Sequence, residues 1–128
     1  MTSWIFVIND TNKEFKKRMR DERWPIFVHT QNRKNLQIGD NVIFYEAGLG
    51  GQKFLGTASI NSEVKKTTRL DYFVQLNNIK VWKKNVKVKD LLSKLDFIKD
   101  KQVWGRFFQG GVRKISEKDF DTITKGNE

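Results

Sequence analysis

Apolar positions in this chain fall into short blocks separated by polar turns. The first block, "SWIFVIN", is unbroken from Trp4 to Ile8, which predicts a strand buried on both faces. The period then changes. Thr11 and Glu14 have the spacing of a capping box, and Phe15 and Met19 stand four apart. A surface helix with a narrow apolar stripe is therefore expected to about Glu22. Pro25 ends it and sets an extended segment from Ile26 to Val28. "QIGDNVIFYEA" predicts a turn and then a strand from Asn41 to Glu46. "GLGG" supplies a hairpin loop, and "KFLGTASI" returns with Gly56 as a bulge or close contact. Lys65 to Arg69 is expected to be a basic loop.

In "YFVQLNNIKVW" the apolar phase changes. Tyr72, Val74 and Leu76 are even, whereas Ile79 and Val81 are odd. A strand interrupted by a bulge near Asn77 and Asn78 would do this. "VKDLLSKLDFI" predicts a short helix or helical turn, and "GVRKI" a last strand. Ser116 and Asp119 are placed to cap a final helix that buries Phe120 and Ile123. Five or six strands and three short helices without regular βαβ alternation argue against a doubly wound sheet. The expected class is α+β: a curved, mostly antiparallel sheet or barrel with peripheral helices, forming one domain over residues 1–128.

Composition adds a direction. With 38% hydrophobic and 31% charged residues, the chain can bury a core. Its apolar runs fall short of the ~20 residues that cross a bilayer. "MTSWIFVIND" has no signal-peptide pattern, so a cytoplasmic location is expected. The net charge is +10. Residues 1–64 hold nine Lys and Arg against seven Asp and Glu, or +2. Residues 65–128 hold sixteen against eight, or +8. Such a field attracts polyanions.

Most catalytic chemistry finds no support. The chain has no cysteine, one histidine (His29) and no G-x-S-x-G elbow. "GLGG" lacks the Lys-Ser/Thr of a phosphate loop, and no metal or cofactor is expected. Asp40 and Glu46 read as solvated turn residues rather than an acid/base pair. Aromatic residues are more informative. Trp4 belongs to the first strand and its core. Trp82 stands among Lys80, Lys83 and Lys84, where it packs under a helix or is exposed. Trp24 and Trp104 stand at junctions, before Pro25 and Gly105. The stretch "KDKQVWGRFFQGGVRKIS" sets Trp104, Phe107 and Phe108 beside Arg106, Lys114 and paired glycines. Rings can wall a pocket that stacks a base while cations hold phosphates. The competing reading puts Trp104 and Phe107 in the core.

The order of these pieces, from "SWIFVIN" through "RWPIFVH", "LQIGDNVIFY" and "FLGTASI" to "LDFIKDKQVWGRFFQGGVRKISEKDFDTI", resembles the EVE domain, a PUA-like family related to YTH domains. The resemblance runs from about Trp4 to Ile123. It implies a pseudo-barrel flanked by short helices and a non-enzymatic, nucleic-acid-binding module that recognises a modified base in an aromatic pocket. RNA or DNA would be the partner of a monomer, with no cofactor and no membrane. It further implies that Asn9 and Asp10 hydrogen-bond the base. Trp24 would form a cage wall; if it faces Trp104 or Phe108 across a pocket, its removal is expected to leave the melting temperature nearly unchanged. His29 and Asn32 would belong to a polar loop, and Trp104, Phe107 and Phe108 to a C-terminal aromatic motif. Pro25 departs from the small residue that commonly follows this tryptophan. Arg33, Lys34, Arg106 and Lys114 are the expected rim for the backbone. A general RNA-binding module and an enzyme acting on modified nucleotides are the alternatives.

Overall fold

The computed structural model describes residues 2–9, 12–27, 30, 33–47, 52–67, 71–98 and 111–126. Among them the chain forms β1 (Ser3–Ile8), α1 (Asn12–Asp21), β2 (Arg23–Phe27), β3 (Asn41–Glu46), β4 (Lys53–Ile60), β5 (Lys65–Lys66), β6 (Asp71–Lys87), β7 (Val112–Ile115) and α2 (Glu117–Lys125). The central pair explains the two unbroken apolar blocks. β1 and β3 run parallel, from Ser3 opposite Asn41 to Ile8 opposite Glu46. Successive side chains in a strand point to opposite faces. Trp4, Phe6, Val42 and Phe44 therefore enter one core, and Ile5, Ile43 and Tyr45 another. The first core also takes Phe15, Trp24, Ile26, Val74 and Val112; the second takes Phe54, Leu91, Leu95, Ile98 and Ile123.

The sheet order is β2-β6-β4-β3-β1-β7, with β5 also paired to β6. Apart from β1 and β3, every pairing is antiparallel. β6 holds the curl together. Its first residues pair with β2 and β5, and its later ones with β4. The result is the expected α+β pseudo-barrel with flanking helices.

Two bulges set the phase of the side chains. Phe44 faces Gly56 while Tyr45 faces Phe54, which leaves Leu55 as an extra residue. Phe54 consequently enters the second core and Leu55 the first. A Cβ on Gly56 would collide with the Lys80 carbonyl oxygen, so glycine is required there. In β6, Thr57 faces Lys80 and Ser59 faces Asn77. Asn78 has a left-handed φ of 52°. The bulge expected from the apolar phase is here, and it carries the inward face from Leu76 to Ile79.

Several local expectations change. Helix α1 stops at Asp21, and Glu22 turns the chain with φ 54°. Pro25 thus lies inside β2, opposite Phe73, where an edge strand tolerates its missing N–H. Lys65 and Lys66 form a short strand rather than a loop. Residues 88–98 contain two 3-10 turns, Val88–Asp90 and Leu92–Lys94. Ser116 caps α2 as expected, accepting from the Asp119 N–H at 3.1 Å. The Asp119 carboxylate is buried and accepts from the N–H groups of Asp96 (2.9 Å) and Phe97 (3.1 Å), tying those turns to the helix. Ile123 is fully buried, and Phe120 is partly buried against the same core.

Asp40 is no solvated turn residue. It is 3% exposed and accepts from the indole N–H of Trp4 (2.8 Å) and the backbone N–H groups of Thr2 (3.1 Å) and Gln37 (3.0 Å). It fastens the start of β1 to the turn that launches β3. Buried polar groups deprived of partners are costly, so Asp40→Ala should lower stability by roughly 3 kcal/mol in urea unfolding. Asp40→Asn, which keeps one acceptor oxygen, should be milder; equal destabilisation would contradict this role. At the bulge, Asn78→Val should cost about 1–2 kcal/mol and Asn78→Gly should stay within about 0.5 kcal/mol, because only the former is strained at positive φ.

Candidate functional site

The first core does not close at the end of β1. A cavity of about 370 Å³ opens there, lined by Ile8 and Asn9, by Glu14 and Arg18 of α1, by Trp24 and Pro25 of β2, and by Gly111 and Val112 where β7 begins. The strands fix these positions. Val7 donates its N–H to the Gly111 carbonyl at 2.8 Å, which holds the entry to β7 against β1. Gly111 has φ 78°, a conformation that favours glycine.

Trp24 forms the floor. Its ring stacks on Phe44 (centroids 5.0 Å apart, 29° between planes), lies 5.7 Å from Phe6 and meets Phe15 edge-on at 6.5 Å. The Arg18 guanidinium covers it, with Cζ 4.5 Å from the ring centroid. Arg18 also donates from Nε to Glu14 Oε1 at 3.2 Å. With core rings behind it and a cation in front, Trp24 is 2% exposed. It lines the cavity, but it is also a core residue. Removing a buried tryptophan costs about 3–5 kcal/mol. The expectation that Trp24 could be removed without destabilising the fold is therefore corrected.

Asn9 is exposed at the mouth of this cavity. Arg33 and Lys34 are not part of it. They line a separate groove of about 570 Å³ with Leu36, Val64 and Tyr72, where the Arg33 guanidinium lies 4.4 Å from the Tyr72 ring centroid. Lys114 is exposed on β7, opposite Trp4, and does not line the cavity. Asp10, His29, Asn32, Trp104, Arg106, Phe107 and Phe108 lie outside the described residues.

Sequence reasoning missed Glu14 and Arg18 as site residues. A signal was present: a glutamate four residues before an arginine puts the pair on one helix face, next to the Phe15 and Met19 stripe. What no spacing indicates is that this face overlooks Trp24, because β2 follows a turn that reverses the chain.

Chemically, the cavity presents a flat cation backed by an indole, a carboxylate acceptor, an amide and apolar walls. Aromatic rings attract cations over their faces, and the arrangement suits a flat, polar-edged ligand. Among the described residues, no group of three or more His, Asp or Glu is placed to hold a metal ion. No described helix is long and apolar enough to cross a membrane.

The likeness to known proteins extends over the whole chain. The UPF0310 protein PH1033 of Pyrococcus horikoshii is 29% identical over 146 aligned residues, covering 98% of each chain. Human THYN1, solved in complex with DNA containing 5-methylcytosine, superposes with a TM-score of 0.68 at 10% identity, over 100% of this chain and 99% of that one. The Mmi1 YTH domain gives 0.64 at 11% identity, over 98% and 93%. At these identities the structural likeness is one of fold, and that fold is the PUA-like pseudo-barrel. The EVE domain model matches residues 2–126, so the chain belongs to the EVE domain family.

Proposed function

We propose that this protein binds nucleic acid and takes a single modified base out of its stack into the cavity at the end of β1. The observation that carries this reading is the Trp24–Arg18 stack. It lies in a cavity of about 370 Å³, on a fold shared with human THYN1, which was solved with DNA containing 5-methylcytosine. Guanidinium planes stack on bases much as aromatic rings do. In this reading the base lies against Arg18, which Trp24 backs, while Asn9 tests the base edge at the mouth. Extruding a base costs a few kcal/mol, and the cavity must return this through stacking and hydrogen bonds.

A methyl group buried against Ile8, Pro25 or Val112 adds only about 0.8 kcal/mol. Discrimination of a modified base from its parent therefore depends on shape and on the polar partners of its edge. A group left without its partner costs about 1–3 kcal/mol, more than the methyl itself contributes.

Titration with paired oligonucleotides, alike except for one 5-methylcytosine or N6-methyladenine, tests this. Wild type should bind one modified member more tightly than its parent. Arg18→Met keeps the side-chain length but removes the guanidinium plane. It should weaken that binding by about 1–3 kcal/mol, the value of one base-stacking contact, with little change in melting temperature. Asn9→Ala should reduce the preference for the modified base more than the affinity. Absence of binding to every oligonucleotide at low salt would overturn the proposal.

A further inference from the structure

The sheet end that carries the cavity mouth also carries lysines that the cavity does not use. Ile8 faces Glu46, Glu46 faces Lys53, and Lys53 faces Lys87. Residues directly opposite in a sheet share a face. Lys53 and Lys87 therefore lie on the face of Ile8, which is the face where the cavity opens. Three strand spacings of about 4.8 Å set Lys87 about 14 Å from Ile8.

From Lys80 to Lys89 the chain has five lysines and no acidic residue, and all five are exposed. Pairing is irregular in the same stretch. Val81 faces Gly56 and Val86 faces Phe54, so four residues of β6 stand against one of β4. This excess leaves Val81 53% exposed and Lys83 in solvent. A strip of one charge sign repels itself and is complementary to a polyanion. Glu46 is the single acidic residue in the row between cavity and lysines.

We propose that Lys53, Lys83, Lys87 and Lys89 bind the sugar-phosphate backbone flanking the base held in the cavity. The protein would then read a base within a polymer rather than a free nucleoside. This rests on the base-binding reading above. At about 3.4 Å of axis per phosphate on one strand, 14 Å corresponds to about four nucleotides. A nucleoside reaches only the cavity, whereas a 12-mer reaches the strip.

The test compares wild type with a Lys53→Gln, Lys83→Gln, Lys87→Gln triple variant. The probes are free 5-methylcytidine and N6-methyladenosine, 12-mers carrying one of these bases, and vesicles containing phosphatidylserine. The variant should bind the nucleosides within about twofold of wild type. Its 12-mer affinity should fall at least tenfold at low salt. The slope of log K against log salt should become shallower by about 0.7–0.9 for each phosphate that the lysines no longer neutralise. Glu46→Gln should strengthen 12-mer binding alone. A variant that matches wild type in 12-mer affinity and slope overturns the strip while leaving the cavity reading intact. Weakened vesicle binding with unchanged 12-mer binding would assign the lysines to a membrane surface and also overturn it. A wild-type protein that binds neither nucleoside nor 12-mer overturns both readings.

Discussion

Burial of β1 and β3 on both faces is the constraint from which the rest of the molecule follows. A parallel pair reading Trp-Ile-Phe-Val-Ile and Val-Ile-Phe-Tyr cannot leave either face in water without exposing several large side chains. Two covers are therefore needed. On one side the curl of β6 and β2, with α1, closes over Phe6 and Phe44. On the other, the turns of residues 88–98 and α2 close over Ile5 and Tyr45. Asp40 keeps the pair in register at its start, where a slip of one residue would exchange the two cores.

The cavity lies where the first cover runs out. β1 extends to Ile8, but α1 crosses only part of that face, so Trp24 is roofed by Arg18 rather than by another apolar side chain. A guanidinium is a fitting roof. It packs flat on the indole while its charge is balanced by Glu14. Core and cavity thus meet in one residue. Trp24 supports the core from behind and presents a cation to the cavity in front.

The charge of the second half acquires a location in the fold. β6 and the turn that follows contribute +3 of its +8, and β6 ends in the same row of the sheet as Ile8. A basic run far from the cavity in sequence is brought to its flank because β4 and β3 lie between β6 and β1.

The positions of β1, β3, β4 and β7, the bulge at Asn78, the close approach at Gly56 and the Ser116 cap were legible from the chain alone. Each depends on a local period, a missing Cβ or a side chain bonding to its own backbone, and such causes act within a few residues. The site was legible only in outline. Asn9 and Trp24 were identified, and they do line one cavity. Whether Trp24 was wall or core depended on which rings surrounded it, and those come from β1, α1 and β3. Arg18 was not singled out at all, and Asp40 read as a solvated turn residue. Arg33 and Lys34 looked like the rim but lie on another groove. The sequence by itself determined where most strands and helices form and which of their faces are apolar, because period and turn chemistry are local. Only the tertiary structure decided which charges meet which rings, because that depends on strand order and on the curl of one long strand.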